Sequence, residues 1–299
     1  MKKLSRISVV KVSQAVLTPF SFSQEGVVWF SMKPKKDYSN AIRVNLNFPF
    51  DYCVSCQSPL KRIYTSGRKH IISLNGIFRV VYAVVTCMND SCNLHNIPIR
   101  APPLSPRHHQ YGFDVILRVG QLRFNRNFTL DMIRGDLEKF GINVTRWGVR
   151  KIADTYKKLV SHRPSKKSIQ KMKKKEIILS IIPYKITEED DNQKVAGGGE
   201  SFFMGGFFVF YDCVNRLVVF VRNAVEVRRE IASFLREIES LGVRIMAVIC
   251  GRDYCFDEVI VGAVREVLPD VPVCYLELND FLVRSHPQLN RVGPIWFDL

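Results

Sequence analysis

Apolar residues recur most regularly between residues 176 and 278, where their spacing predicts both strands and helices. Five apolar runs predict strands and two stretches of helical periodicity predict helices, in the order strand, strand, strand, helix, strand, helix, strand. A short polar gap at residues 212–216 fits a hairpin turn, and Gly242 ends the first helix. The predicted strands are 177–182, 207–211, 217–221, 243–250 and 271–278, and the predicted helices are 225–241 and 256–268. This region is therefore expected to be an α/β domain.

Three further stretches of helical periodicity lie between residues 111 and 160. Thr129 and Thr145 are suited to cap the second and third helices, because a threonine hydroxyl accepts a hydrogen bond from the first turn. Gly141 ends the second helix. Two short helices joined by residues 141–144 predict a helix-turn-helix.

The first fifty residues are less informative. Apolar residues at 27–30 and 42–48 predict two strands, the second with alternating apolar and polar positions. Residues 77–85 predict another strand. No motif with a chemical meaning is found before residue 50.

Charge points to the class of partner. The chain has 299 residues, 46% of them hydrophobic, and a net charge of +16, so two or three small domains with ordinary cores are expected. An excess of Lys and Arg this large favours a polyanion, most often nucleic acid, although solubility in a salty cytoplasm is the alternative. No apolar run is long enough to span a membrane, and the basic start lacks a cleavage site. A cytoplasmic, chromosome-associated protein is expected.

Four cysteines have the spacing of a metal site. Cys53-x2-Cys56 and, thirty residues later, Cys87-x4-Cys92 are two pairs that tight turns would direct at one ion. Four thiolates satisfy a closed tetrahedral Zn²⁺, which can stabilise a small hairpin domain. His95 lies close enough in sequence to be a substitute ligand. The other cysteines, Cys213, Cys250, Cys255 and Cys274, lie in or beside predicted core strands and are expected to be small buried side chains.

The start of the third predicted helix carries the candidate DNA contacts. In a helix-turn-helix, outward residues at the start of the second member meet base edges in the major groove. An arginine can donate two hydrogen bonds to guanine, whereas lysine mostly finds phosphate. The alternative is a three-helix bundle whose basic face is only solvated. The expected contacts are Thr145, Arg146, Trp147, Arg150 and Lys151.

Other segments are biased in composition. Prolines between residues 98 and 106 predict a stiff linker, and a basic segment at 61–70 is expected to be a loop. Residues 163–175 predict a flexible basic linker that follows a phosphate backbone, or else a solvated tether. Residues 183–201 predict a mobile acidic insertion. The lysines expected to contact phosphates in the basic linker are Lys166, Lys167, Lys171, Lys173, Lys174 and Lys175.

These features together resemble prokaryotic insertion-sequence transposases. The element order after residue 176 looks like the RNase H-like fold of DDE transposases and retroviral-type integrases. The stretch YGFDVILRVG at 111–120 resembles the start of the DNA-binding domain in insertion-sequence transposases, and CMNDSC at 87–92 resembles their second zinc knuckle. The resemblance covers residues 50 to 280 in rough terms.

The resemblance also implies where catalytic acids would lie. In such enzymes the first strand ends in Asp-Gly, the fourth ends in a second Asp, and a third acid follows, so that two metal ions are held. Here Ile182 and Pro183 stand at the first position. The second acid is either replaced by Gly251 or displaced to Asp253, and the third is expected to be absent. A protein without strand-transfer activity is therefore expected.

The predicted fold class is multidomain α+β, with a mixed sheet in the last domain. Its expected parts are an N-terminal β-rich segment (1–50), a zinc ribbon (51–100), a helix-turn-helix DNA-binding domain (107–162), a basic linker (163–175) and a degenerate RNase H-like domain (176–299).

The expected function is that of a catalytically inactive, transposase-derived protein that binds double-stranded DNA as an architectural or regulatory factor. Its RNase H-like domain would support homo-oligomers or bind other chromosomal proteins. Two alternatives stay open. One is an active metal-dependent transposase or nuclease that uses Asp212, Asp253 or Glu258, and the other is an RNA-binding or ribosome-associated protein.

Overall fold

The computed structural model describes residues 38–48, 50–185, 206–224, 226–252 and 257–277. They form a mixed α+β structure with six α-helices and two mixed sheets, which confirms the α+β class. The strands are β1 (Ile42–Leu46), β2 (Leu60–Ser73), β3 (Gly76–Cys87), β4 (Ile99–Arg100), β5 (Ile177–Lys185), β6 (Gly206–Asp212), β7 (Leu217–Ala224), β8 (Ile245–Arg252) and β9 (Val273–Glu277). The helices are α1 (Phe113–Gly120), α2 (Leu130–Lys139), α3 (Arg146–Val160), α4 (Lys166–Lys175), α5 (Val227–Ser240) and α6 (Asp257–Val267).

Some predicted features lie outside the described residues. These are the strand at 27–30, most of the acidic insertion, Asp253 and Cys255. None of the helices in the described part of the chain is long and apolar enough to cross a membrane.

The N-terminal sheet comprises β1 to β4. Its long antiparallel hairpin, β2 and β3, has β1 added parallel to β3 and β4 added antiparallel to β3. β1 therefore shares a sheet with the strands of the predicted zinc ribbon, across the boundary expected at residue 50. β2 forms the edge, and two register shifts interrupt its pairing with β3. The basic loop expected at 61–70 is wrong, because these residues form most of β2 and pair with β3.

The C-terminal sheet has the strand order β7-β6-β5-β8-β9. β5, β6 and β7 are antiparallel neighbours, whereas β5, β8 and β9 are parallel. The hairpin turn predicted at 212–216 is confirmed, and the Asp212 carboxylate accepts hydrogen bonds from the Val214 and Asn215 amides, as Asp does in a tight turn. The predicted order of five strands and two helices is also confirmed.

The two faces of the C-terminal sheet have different neighbours. Side chains alternate along a strand, so on β6 Phe208 and Phe210 face one side while Phe207 and Val209 face the other. The first side packs against α5 and α6. The second side is covered in two places, by the N-terminal sheet and by the helix bundle formed by α1, α2 and α3.

Close contacts fix the helix bundle in place. Gly120 at the end of α1 leaves no room for a side chain, because a Cβ there would overlap the Tyr156 ring of α3. Tyr156 in turn meets Phe207 of β6 edge to face, with ring centroids 5.7 Å apart. Arg118 on α1 and Asp136 on α2 form a half-buried bidentate pair with N–O distances of 2.6 and 2.9 Å.

A buried acid joins the helix bundle to the N-terminal sheet. Asp114 in the first turn of α1 accepts hydrogen bonds from the Ser73 hydroxyl and, at 2.8 Å, from the Leu74 amide at the tip of the β2–β3 hairpin. Burial raises the pKa of the Asp114 carboxyl, although these donors act in the opposite direction. Asp114, the acid of the YGFDVILRVG stretch, therefore has a structural role, since it joins α1 to the β2–β3 hairpin.

The proline segment at 98–106 is packed along the molecule. Its residues Ile99 and Arg100 form β4, and the Arg100 amide donates to the Cys213 carbonyl at 3.3 Å. Lys69 of β2 donates to the Ser105 hydroxyl and to the Pro106 carbonyl, each at 2.7 Å, and burial lowers the pKa of Lys69 to about 8.

The flexible linker predicted for 163–175 is wrong for residues 166–175, which form α4. The Ser165 hydroxyl caps this helix by accepting from the Ser168 amide at 3.1 Å. Met172 is buried in the core beneath α5 and α6, and Ile169 packs against the same core. Two apolar side chains three residues apart are enough to hold one side of the helix on the protein.

Candidate metal centre and basic surfaces

Turns at one end of the N-terminal sheet place the two pairs of thiols. Cys53 and Cys56 lie in a turn closed by hydrogen bonds from the Gln57 amide to the Cys53 carbonyl (2.9 Å) and from the Cys53 amide to the Ser58 carbonyl (2.7 Å). Cys87 ends β3, and Cys92 lies in the turn that follows. Because β2 and β3 are paired, both turns come to the same end of the hairpin.

The four sulfurs form one cluster. All lie within 4.8 Å of one another, with Sγ–Sγ distances of 3.8 Å for Cys53–Cys92 and 3.5 Å for Cys56–Cys87. A Zn–S distance of about 2.3 Å and tetrahedral geometry require sulfurs roughly 3.8 Å apart. The cluster therefore has the size needed to hold a metal ion and is compatible with Zn²⁺, as the sequence predicted.

Backbone donors favour the thiolate form that binds a metal, whereas burial favours the protonated thiol. The Asn89 amide donates to the Cys87 sulfur and the Leu94 amide to the Cys92 sulfur, both at 3.4 Å, as expected for groups that stabilise thiolates. Burial raises the pKa of Cys87 to about 12. Burial acts in the same direction on Cys56, but hydrogen bonds from Ser58 and from neighbouring thiols lower its pKa to about 6. A cation at the centre would deprotonate its ligands.

The remaining metal-binding candidates lie elsewhere. His95 is not part of the cluster, since its Nε2 atom lies 2.6 Å from the Asn96 amide nitrogen and 3.3 Å from the Asp90 carboxylate. Cys213 and Cys250 are fully buried in strand-packing cores, which confirms their interpretation as small apolar side chains. Burial raises the pKa of the Cys213 thiol well above its usual value.

The start of α3 exposes the predicted DNA contacts. The Thr145 hydroxyl caps the helix by accepting from the Gly148 amide at 3.1 Å. Val149 and Ile152 are buried in the helix bundle. Arg146, Trp147, Arg150 and Lys151 are exposed in the first turns of α3, and Asp154, Lys157 and Lys158 are exposed further along the helix.

Trp147 and Lys151 are preorganised in these first turns. Trp147 is 64% exposed, which is unusual for a tryptophan outside an interface. The Lys151 ammonium lies 3.5 Å from the centre of the Trp147 ring. This cation–π contact orients the lysine along the helix surface.

One acid beside α3 was missed by the sequence analysis. Asp131 at the start of α2 lies 3.7 Å from the Arg146 guanidinium, and both side chains are more than half exposed. An exposed pair of this kind contributes little to stability. The periodic pattern placed both residues near helix starts, but only the packing of α2 against α3 brings them together.

The lysines of α4 are exposed on the helix surface. This holds for Lys166, Lys167, Lys171, Lys173 and Lys174. The Lys173 ammonium reaches over Gly242, just past the end of α5, where a positive charge suits the helix dipole.

The positions expected for catalytic acids are apolar or used in other ways. Ile182 is 6% exposed and packs under the helix bundle. Since Ile181 pairs with Cys250, Gly251 follows in the strand next to Ile182. Asp212 pairs with Leu179, which is level with Val248. Measured along the strand direction, Asp212 is therefore about 10 Å from the level of Gly251.

Comparison with known proteins gives no family for this chain: no model of a protein family matches it, and no curated protein sequence is found to be similar.

Proposed function

We propose that this protein is a transposase-derived factor that binds double-stranded DNA and lacks strand-transfer activity. The observation that carries the proposal is the exposed basic side of α3. The opposite side of this helix is buried in the core of the helix bundle. The net charge of +16 supports a polyanionic partner.

In the proposed complex, α2 and α3 act as a helix-turn-helix and α3 enters the major groove. Arg146 and Arg150 would donate to base edges, because a guanidinium forms paired hydrogen bonds with guanine. Lys151, fixed over Trp147, would contact phosphate together with Thr145. The rest of the bundle fixes the angle at which α3 meets the duplex.

Asp131 would adjust this contact. Its carboxylate pairs with Arg146 in the protein alone and would repel nearby phosphates. Arg146 must therefore leave the Asp131 carboxylate in order to donate to a base edge. Asp131→Asn is expected to tighten binding to all duplexes and to weaken discrimination among them.

The C-terminal sheet with α5 and α6 is proposed to be a degenerate RNase H-like domain. Two-metal catalysis needs carboxylates that converge from neighbouring strands, whereas Ile182 is apolar and covered. The chain order of the elements and their assembly in one mixed sheet support the domain assignment. In this proposal the domain is a scaffold that joins copies of the chain or other chromosomal proteins, and the thiol cluster holds a structural Zn²⁺.

The central test measures affinity for a library of duplexes and for structured RNA in competition. Arg146→Ala and Arg150→Ala are each expected to cost about 1–3 kcal/mol in binding and to relax sequence preference. Arg229→Ala is the matched control, because Arg229 is an exposed arginine on α5 that pairs with Glu226 at 3.2 Å. Equal losses in all three variants, or preference for RNA, would reject base contacts by α3.

A second test concerns catalysis. The wild type and Asp253→Ala are incubated with supercoiled plasmid and Mn²⁺, and neither is expected to nick it. Ile182→Asp is also expected to be inactive, since a single restored acid does not complete a two-metal site. Nicking by the wild type that Asp253→Ala lacks would replace this proposal with the enzyme alternative.

A further inference from the structure

α4 is the second strongly basic surface of the described chain, and its composition is unusual for a helix. Six of its ten residues are lysines and none is acidic. Like charges four residues apart, such as Lys167 and Lys171, repel each other, and lysines in the first turn face the positive end of the helix dipole. A bound polyanion would relieve both effects.

These lysines have no acidic partner in the described part of the chain, although Lys173 lies near the end of α5. None of Lys166, Lys167, Lys171, Lys173 and Lys174 forms an ion pair with a described carboxylate. The nearest acid in sequence, Glu176, is held by Arg244 at 2.7 Å.

The buried side of α4 fixes the direction of its lysines. Met172 is buried and Ile169 packs beside it, so this side of the helix faces the core. At 3.6 residues per turn, Lys167, Lys171 and Lys174 lie on the opposite side of the helix. These three residues, here called the α4 stripe, are exposed.

α3 and α4 lie on opposite faces of the C-terminal sheet. Tyr156 of α3 packs on Phe207, whereas Met172 of α4 belongs to the core that contains Phe208, the next residue of β6. Between the two helices the chain passes the edge strand β7, where the Arg163 guanidinium lies 5.1 Å from the centre of the Phe220 ring.

This arrangement separates the two basic surfaces. Helices on both sides of a sheet have axes roughly 20 Å apart, and each turns its basic side to solvent. Duplex DNA is stiff over such distances, with a persistence length of about 50 nm. A segment seated on α3 would not bend around β7 to reach the α4 stripe.

We propose that the α4 stripe binds the phosphates of a second duplex, so that one molecule bridges two DNA segments. This inference rests on the proposed function, because α3 must hold the first segment. The two surfaces would differ in kind: α3 selects sequence, and α4 attracts any duplex through counterion release.

The test uses two short duplexes with different labels. The first carries a sequence selected by α3 and is fixed to beads, and the second has an unrelated sequence. The wild-type protein is expected to retain the second duplex on the beads. Lys167→Gln, Lys171→Gln and Lys174→Gln combined should bind the first duplex as before but retain at least ~10-fold less of the second. The salt dependence of the second step should fall by about three in slope.

Two controls match this variant. Arginine at the same three positions keeps the charge and should keep the bridging. Gln at Arg228, Arg229 and Arg236 removes three charges that are already paired with Glu226 and Glu266, and should leave bridging unchanged. Equal loss in this second control would show an effect of net charge alone and overturn the proposal.

The other outcomes are also distinct. Failure to bind the first duplex would reject the proposed function itself. Binding of the first duplex without retention of the second would reject only the bridging. Two results would assign bridging to two α3 helices and overturn the role of α4. The first is that the α4 variant still retains the second duplex. The second is that retention requires a dimer, as measured by light scattering, and prefers two copies of the selected sequence.

Discussion

The N-terminal sheet and the helix bundle cover neighbouring parts of one face of the C-terminal sheet, but different groups close each of them. The helix bundle is closed by contact between Gly120 and Tyr156 and by the Arg118–Asp136 pair. The N-terminal sheet is apolar where it meets the C-terminal sheet, with Val44 and Phe78 in the shared core. Its two cysteine turns converge on four sulfurs, and Cys53, Cys87 and Cys92 belong to that same core. The helix bundle is thus closed by packing and an ion pair, whereas the N-terminal sheet brings together four thiols that are compatible with a metal ion.

Removal of the proposed Zn²⁺ should give the largest effect, confined to the two cysteine turns. Apparent binding free energies of structural Zn²⁺ sites are about 10–16 kcal/mol, so chelation or Cys87→Ser should strongly lower the stability of residues 51–58 and 87–97. Hydrogen exchange is expected to lose protection there while the helix bundle stays protected. Loss of protection in both regions together would mean that the metal also holds the bundle. Cys213→Ser serves as the control for thiol loss alone.

Gly120→Ala tests the contrasting region. A Cβ at this position would overlap the Tyr156 ring, and overpacking of this kind costs about 1–3 kcal/mol. Gly135→Ala is the matched control, since Gly135 lies in α2 with open space around it and should stabilise its helix by up to ~1 kcal/mol. Urea unfolding measures both. A neutral Gly120→Ala would show that the helices adjust to one another.

A pH series on Asp114→Asn probes the junction between the two regions. Burial raises the folded-state pKa of Asp114 above 3.8, the ordinary value for an aspartate side chain. The protonated acid therefore stabilises the fold fully below that pH, and this stabilisation is lost as the pH rises through the folded-state pKa. Relative to Asp114→Asn, the wild type should lose stability across that window by at most about 1.4 kcal/mol per pH unit. A wild type that instead gains stability relative to Asp114→Asn as the pH rises would show that the donors Ser73 and Leu74 outweigh burial.

Replacement of the caps gives the smallest effect. Thr129→Ala and Thr145→Ala each remove one hydrogen bond to a first-turn amide and should each cost about 1 kcal/mol. Thermal unfolding should therefore not distinguish them. Only Thr145→Ala is expected to weaken duplex binding, and equal binding by both variants would argue against α3 as the DNA contact.

Local pattern predicted most of the elements, but not β2 or α4, and it did not predict their assembly. Apolar runs gave the order of β5 to β9, and the spacing of Cys53, Cys56, Cys87 and Cys92 gave the thiol cluster, because these signals are carried by neighbouring residues. The parallel pairing of β1 with β3 depends on partners more than thirty residues apart, which a single sequence does not indicate. The contact of Asp131 with Arg146 was missed for the same reason.

α4 was missed for a different reason. Its lysines have the composition of a solvated tether, and this masked the spacing of Ile169 and Met172 behind the Ser165 cap. Helical structure at such a segment comes from tertiary packing of two side chains. Two apolar residues among the ten of this segment were too few for the sequence to indicate a helix.

The long edge strand β2 has a consequence for the handling of this protein. Backbone hydrogen bonds with Gln110 and Gly112 cover this edge at Ile72, and a long edge strand is otherwise the usual start of edge-to-edge aggregation. The register shifts around Ile63 and Gly67 break the regular row of amides, and the exposed Lys61, Arg62 and Arg68 make approach of a second such edge unfavourable. Concentrated solutions should consequently remain clear at low ionic strength and become turbid once salt screens these charges.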